Sequence, residues 1–596
     1  MQSRRMAWAG AALLVGLTCV AYWPALHGDF IFDDEALISQ SKVIALPHGL
    51  YRIWFTTEPQ DYWPVTNTSF WLEWRLWGED STGYHCTNLA LHIACSLLLW
   101  AVLRNLAVPG AYLAALLFAL HPVNVESVAW IAQRKNLLAL LFFLISLGSF
   151  LQTGLIEIAR RKITKENIWY CLSLLAFVLS MLSKGSVAVF PFILLLLIWW
   201  KRRSIGVADG VRIAPFFVIS ILLTLLNIWF QTHIGKIDII RLDFLQRCLG
   251  AGGVIWFYLA KAVVPVHLLF VYPQWDISAV NPLWWLPLLA ALVVTGLLYW
   301  QRNSFFGRPL FVAWLFWCIA LLPVMGFTDV GYMQHSRVAD HYQHLALISV
   351  VALAAAGASY WQHHSHGLLN ALAKLTPIVV VGVFTALTWL QSSLYANPRA
   401  LYQATLKENP RSSLAIALLA GVEAKAGNTD AASEDFQQAL QINPDYVDAH
   451  YALAQNLLEK SNQQKDRKWL KAALAQFQDA VRLKPDVADY RNDYAMALAA
   501  DGQTDESLAQ LEAGFRADPN HLGINFNLTN AYAHRQRWAE ALALAKHALS
   551  LAQDEGNTEM IHNIEDQLRA LNEILTPANP GTPPQADTPE DKASRP

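Results

Sequence analysis

Gly28-Asp29-Phe30-Ile31-Phe32-Asp33-Asp34-Glu35 follows directly on an apolar run, Ala7 to Leu26, of about the ~20 residues that cross a bilayer. Carboxylates beside a membrane are costly to desolvate, so such a loop points to function as readily as to a solvated surface. Arg4 and Arg5 precede the run and place the N-terminus in the cytoplasm, which puts the acidic loop outside. An uncleaved first span fits better than a secretory leader, because many more apolar runs follow.

Working outward, residues 40–84 hold Trp54, Phe55, Trp63, Trp71, Trp74 and Trp77, a density of rings suited to headgroup depth. Spans are expected near 85–104, 111–129, 137–155, 168–183, 186–200 and 213–231. Between the third and fourth spans lies a second outer loop, His121-Pro122-Val123-Asn124-Val125-Glu126-Ser127-Val128-Ala129-Trp130-Ile131-Ala132-Gln133-Arg134-Lys135-Asn136. Arg160-Arg161-Lys162 with Lys165, and Lys201-Arg202-Arg203, mark the cytoplasmic side, and Ser183-Lys184-Gly185 an outer turn. The run 250–269 is ambiguous. If it spans, everything after it changes side. Lys261, Pro265 and His267 fit an interfacial or re-entrant segment, and that choice also leaves Arg302 and Arg308 inside. With further spans near 283–300, 309–325, 343–361 and 376–395, eleven are expected, with the C-terminal half outside.

With 55% hydrophobic and 15% charged residues, the 596-residue chain has the composition of a membrane protein with room for a soluble part. The net charge of −2 averages two unlike halves and decides nothing. The six cysteines are scattered, mostly in apolar runs, so neither a disulfide framework nor a zinc site is indicated. After about residue 396, Ala, Gln, Asp, Glu and Lys take over. Pro410, Pro444, Pro485 and Pro519 are spaced by 34, 41 and 34 residues, with Tyr402, Phe436, Phe477 and Leu511 eight positions earlier. Ala432 and Ala473 stand four before two of these. A period of 34 with small-x3-large-x7-Pro is the tetratricopeptide pattern, and a polar insertion near 460–466 accounts for the longer interval. The expected fold is all-α: a polytopic membrane domain over 1–396, repeats over 397–575 and a disordered Pro-, Asp-, Thr- and Lys-rich tail over 576–596.

The acidic loop after the first span resembles the first luminal loop of multi-spanning GT-C glycosyltransferases, which use polyprenyl-phosphate sugars. Residues 28–34, 121–129 and Lys184-Gly185 resemble, more closely, the TMTC-type protein O-mannosyltransferases and their prokaryotic relatives. Those proteins likewise join a membrane domain to tetratricopeptide repeats on the non-cytoplasmic side. The resemblance covers about 20–575, and the His-Pro-Val loop is its most specific element. Where the family often has Gly-Arg-Ala-Asp, this chain has Gln133-Arg134-Lys135-Asn136, and His341 occupies a position that is typically Arg.

The resemblance implies transfer of a mannose-like hexose from a polyprenyl-phosphate donor to hydroxyls of an acceptor protein. Such transfer needs a base for the acceptor proton, cations for the departing phosphate and a cavity that aligns the two. By its match to the first acid of the GT-C pair, Asp33 is the expected base, with Asp34 orienting the acceptor or an ion and Glu126 helping to position. Arg134, Lys184, Arg337 and His341 are the donor-phosphate candidates, and a divalent metal ion between Asp34 and Glu126 is an optional cofactor. Lys184 and Lys135 equally suit interfacial anchors, and Arg337 suits an i,i+3 pair with Asp340. His363, His364 and His366 suit a polar connector better than a metal site. Membrane lipid, a sugar donor and an acceptor protein held by the repeats are the expected partners, with no nucleic acid. The expected location is a bacterial inner membrane with the repeats in the periplasm. The rival reading is a non-catalytic scaffold whose repeats assemble envelope complexes. A transporter fits less well, because its charges belong near the midplane.

Overall fold

The computed structural model describes residues 2–59, 61–154, 166–233, 242–328 and 330–575, and every regular element among them is helical. The basic run 160–165 and the tail 576–596 lie outside the described residues. The chain divides into two compact units, Met1–Ala426 and Gly427–Pro596.

In the first unit, α1 (Gln2–Tyr22) leads into a loop carrying α2 (Lys42–Ala45), α3 (Gly49–Phe55) and α4 (Pro64–Trp77). Then follow α5 (Ser81–Asn105), α6 (Ala111–Ala119), α7 (Val125–Ala129), α8 (Arg134–Gln152), α9 (Glu166–Ser183), α10 (Phe190–Arg202) and α11 (Val207–His233). The bundle is completed by α12 (Phe244–Val263), α13 (Trp285–Trp300), α14 (Gly307–Leu321), α15 (Leu347–His364) and α16 (Gly367–Tyr395), after which come α17 (Pro398–Glu408) and α18 (Ser413–Lys425). Nine helices among the described residues are long and apolar enough to cross a membrane, or ten if α6 and α7, bent by 50° at a break, form one span. The eleventh expected span corresponds to α15. Its 18 residues include Gln362, His363 and His364, so it falls short on composition. Its start follows the 340–346 loop, and Tyr360 near its end packs 5.2 Å from the Phe306 ring beside α14.

Helices that share no water are joined by small polar side chains. Ser146 and Ser173 each donate to the other's carbonyl at 2.8 Å, and Ser180 donates to Ala139, which locks α8 to α9. Gly110 sits at φ +70, where a Cβ would lie 2.5 Å from the Ala355 carbonyl, so only glycine lets α6 approach α15 so closely. The segment 250–269 resolves differently from its neighbours. Asp243 and Gln246 form a capping box that starts α12. Arg247 near its start donates to the Gly326 carbonyl, and the Ala262 carbonyl near its end meets His121 Nε2 at 3.0 Å. Among the described residues α12 is not one of the helices long and apolar enough to cross a membrane.

In the second unit, α19 (Thr429–Ile442) is followed by the pairs α20 (Val447–Gln464) with α21 (Arg467–Leu483), α22 (Ala488–Asp501) with α23 (Thr504–Ala517), and α24 (Leu522–His534) with α25 (Trp538–Glu555), and then α26 (Thr558–Leu575). The pattern residues Ala432, Phe436, Ala473, Phe477 and Leu511 are all buried. The insertion inferred from the 41-residue interval is helical, lengthening α20 and ending at Lys465 in the left-handed conformation. A feature absent from the apolar pattern recurs in three repeats. The side chain six residues after each turn proline meets that proline's carbonyl: His450 on Pro444 at 2.9 Å, Arg491 on Pro485 at 2.7 Å and Asn525 on Pro519 at 2.8 Å. These bonds take up backbone acceptors that the turns leave open. Phe477→Leu, which empties part of the tightest apolar position, is expected to cost about 1–2 kcal/mol in chemical denaturation followed in this unit.

Candidate active site

The acidic loop is anchored before it is functional. The Gly28 carbonyl accepts from Ser81 Oγ at 2.6 Å and lies 3.1 Å from His85 Nε2. Asp34 is fully buried, and both of its oxygens accept backbone amides: Ile31 N–H at 3.0 Å and, across the fold, Ala132 N–H at 2.6 Å. Asp34 therefore pins the first outer loop to the second. Burial pushes its carboxyl up to about 8, against the pull of those two amides. The residue expected to orient an acceptor or ion thus holds two backbone amides, one on each oxygen.

Asp33 differs. It is half-buried, and no hydrogen bond or ion pair engages its carboxylate among the described residues. The preceding residue, Phe32, has φ +45, a left-handed conformation that a bulky side chain adopts only when its surroundings impose it. The Phe32 ring packs 5.9 Å from Trp130 and 6.0 Å from Phe270. Burial raises the Asp33 carboxyl above its ordinary range, with Lys135 acting against the rise.

Three further charges interact with this carboxylate or with each other. Lys135, at the start of α8, is 6% exposed, and its ammonium stands 4.3 Å above the Trp63 ring with no hydrogen bond or ion pair among the described residues. Lys184 donates to Asn136 Oδ1 at 2.6 Å, and its pKa is lowered well below the usual lysine range by burial first and Lys135 second. Asp61 accepts from Gln231 of α11 at 3.4 Å. Burial pushes its carboxyl up to about 6, with Lys135 and Lys184 opposing and Asp33 reinforcing the rise. Two acids and two lysines, Lys135 buried and the others half-buried, thus act on one another without any direct ion pair among them. Sequence reasoning missed Asp61 and treated Lys135 as an anchor. The usable signal was Asp61-Tyr62-Trp63, an acid set among aromatics in the outer loop.

Glu126 is brought to the adjoining loop. Its Oε2 accepts the His341 backbone N–H at 2.7 Å and lies 3.1 Å from His341 Nδ1. His341, 4% exposed and ringed by Trp130, Tyr332 and Tyr342, is held well below its ordinary pKa by burial, then by Lys184 and Lys135. His341, expected to contact the donor phosphate, is thus held to Glu126 through its backbone N–H. Arg134, another expected phosphate ligand, has partners within the protein. It is fully buried, pairs with Glu73, and donates to Asn88 Oδ1 at 2.8 Å and the Tyr84 carbonyl at 3.0 Å, so its donors hold α4, α5 and α8 together. Arg337 lines a cavity with Arg247, Gly250 and Val254 of α12, and Lys184 takes no part in that lining. Asp340, its supposed i,i+3 partner, accepts instead from Tyr272 at 2.9 Å. Among the described residues no group of three His, Cys, Asp or Glu is placed to hold a metal ion, and Asp34 and Glu126 are engaged separately. His363 and His364 bond to the carbonyls of their own helix.

A family profile described as TPR repeat matches residues 422–460, and one described as tetratricopeptide repeat matches 470–520 and 492–557. A protein O-mannosyl-transferase of Caenorhabditis elegans is 25% identical over 457 residues, covering 73% of this chain. Protein O-mannosyl-transferase TMTC4 of Homo sapiens is 31% identical over 206 residues, covering 29%. The chain is similar to the TMTC-type protein O-mannosyl-transferases. It spans 63% of the length of the nematode relative and 27% of that of the human one. Among solved structures, a thermophilic TPR protein of Thermus thermophilus is 24% identical, covering 33% of this chain and 99% of its own, with a TM-score of 0.25.

Proposed function

We propose that this chain is an integral-membrane glycosyltransferase that moves a hexose from a polyprenyl-phosphate donor to a hydroxyl of an acceptor protein. The observation that supports this reading is the half-buried carboxylate of Asp33, free of hydrogen bonds among the described residues and within the electrostatic reach of Lys135, which in turn acts on Lys184. Asp33 takes the proton of the acceptor hydroxyl as its oxygen bonds to the sugar's anomeric carbon. The bond from that carbon to the phosphate oxygen breaks, and the polyprenyl phosphate leaves with the electron pair. Lys184 and Lys135 receive the growing negative charge, and an anion between them would restore the protonated ammonium that burial disfavours. Asp61 offsets the charge of both lysines, and Glu126 holds the His341 backbone. Arg337 stays outside this mechanism. Residues 1–396 form the membrane transferase part and the repeats over 397–575 recruit the acceptor, in a bacterial inner membrane with the repeats in the periplasm.

Lys184→Met, assayed with a radiolabelled polyprenyl-phosphate hexose, is expected to lower kcat/KM about 100-fold while the protein keeps its thermal midpoint. An unchanged kcat/KM would remove Lys184 from the phosphate site.

A further inference from the structure

Helix α12 buries one face through Val254, Tyr258 and Ala262, and leaves Val263 and Val264 exposed at its end. Trp256, Leu259, Val263, Val264, Lys261 and His267 line an open groove of about 560 Å³, within the range of sites that take small molecules. The Trp256 N–H is already donated to the Pro287 carbonyl at 2.8 Å, so Lys261 and His267 are the polar groups left to a ligand. Lys261 is held in place. Its ammonium donates to the Val266 carbonyl at 2.9 Å and the His267 carbonyl at 2.8 Å, and stands 5.4 Å above the Tyr272 ring. The turn at His267, with φ +51, presents both carbonyls to it. His267 has a counter-charge at hand, since its Nδ1 lies 3.8 Å from Glu408 Oε1. Lys261 pairs with no carboxylate among the described residues. An ammonium has three donors, so one N–H of Lys261 remains.

We propose that this groove binds one membrane phospholipid with an anionic headgroup, its phosphate on Lys261 and an acyl chain along Trp256, Leu259 and Val263. Charge complementarity selects the headgroup. A cation already fixed by two carbonyls, with a spare donor and no counter-ion, gains a charge-assisted bond at little ordering cost. The apolar wall beside it suits an acyl chain. The sugar donor is also an apolar chain with a phosphate, but its sugar has to reach Asp33. From Lys261 towards Lys184 the contacts run through Tyr272, whose hydroxyl donates to Asp340 at 2.9 Å. The next residue, His341, accepts from Asn136 at 3.4 Å, and Asn136 accepts from Lys184 at 2.6 Å. Tyr272, Asp340, His341 and Asn136 are all buried, so packed protein lies along that line. The groove is therefore a second lipid site, and its existence does not depend on the transferase reading.

The test is photolabelling of the purified full chain with phosphatidylglycerol that carries a diazirine in one acyl chain, with the adducts mapped by mass spectrometry. Label is expected on residues 256–264. Lys261→Met is expected to lower that labelling about fivefold, and unlabelled phosphatidylcholine to compete about tenfold less well than phosphatidylglycerol. Lys261→Arg, which keeps the charge, is expected to retain the label, and so separates loss of the cation from damage to the fold. Equal labelling of wild type and Lys261→Met, or equal competition by the two phospholipids, overturns the proposal. A polyprenyl phosphate that displaces the probe at a lower concentration than phosphatidylglycerol also overturns it, and gives the groove to the donor.

Discussion

Asp33→Asn is expected to lower transfer by about 1,000-fold or more while leaving the fold intact. General-base assistance is worth about 10²–10⁴-fold, and the amide cannot accept the proton. The substitution alters no hydrogen bond among the described residues, since Asp33 makes none. Its pH dependence carries a sign. Burial raises the Asp33 pKa in the folded protein, so the ionised base, and hence the rate, is gained as pH rises through a value above the ordinary ~3.9 of an aspartate. Because the folded pKa exceeds the unfolded one, its contribution to stability is fully present below the unfolded value and is lost as pH rises through the folded one. Above the folded value the charged carboxylate therefore destabilises the fold. Asp33→Asn is expected to be inactive yet at least as heat-stable as wild type, and to lack the acid limb of the pH–rate profile. A variant that loses activity only together with its thermal midpoint would make Asp33 structural.

Arg134→Met is expected to fail in the opposite manner. Removing one partner of a buried ion pair costs about 3–5 kcal/mol, because the other charge is left without compensation. Here Glu73 would be stranded at 6% exposure, and Asn88 and the Tyr84 carbonyl would lose their donor. The measurement is a denaturation midpoint in detergent. Paired with Glu73→Leu, the double variant should recover part of the loss, since no unpaired charge remains. A phosphate-binding arginine would behave otherwise, with a raised donor KM and an unmoved midpoint.

These two residues show where the sequence was informative. The alternation of long apolar runs with basic and acidic loops gave the bundle, and the spacing of four prolines gave the repeats, because both are local periodicities. Asp33 and Asp34 are adjacent and identical in type. Only the structure shows that Ala132, 98 positions away from Asp34, occupies one of them and leaves the other open. Arg134 and Lys135 pose the same problem in reverse. Helix geometry turns neighbours about 100° apart, so one faces Glu73 and the other Trp63. The charge of a residue is readable in sequence, but its partner is not. His341 illustrates the remaining gap: its departure from arginine was visible, while its commitment to Glu126 depended on a contact across 215 residues.

The most direct test of the central claim is a transfer assay on the full chain reconstituted in vesicles. It would be given polyprenyl-phosphate hexoses labelled in the sugar and a mixture of periplasmic proteins. The account predicts label on protein, released by alkaline β-elimination as expected for a hydroxyl linkage, and its loss in Asp33→Asn. No labelled protein from any hexose donor, with Asp33→Asn still complementing a deletion strain, would contradict it and favour a scaffold whose repeats assemble envelope complexes.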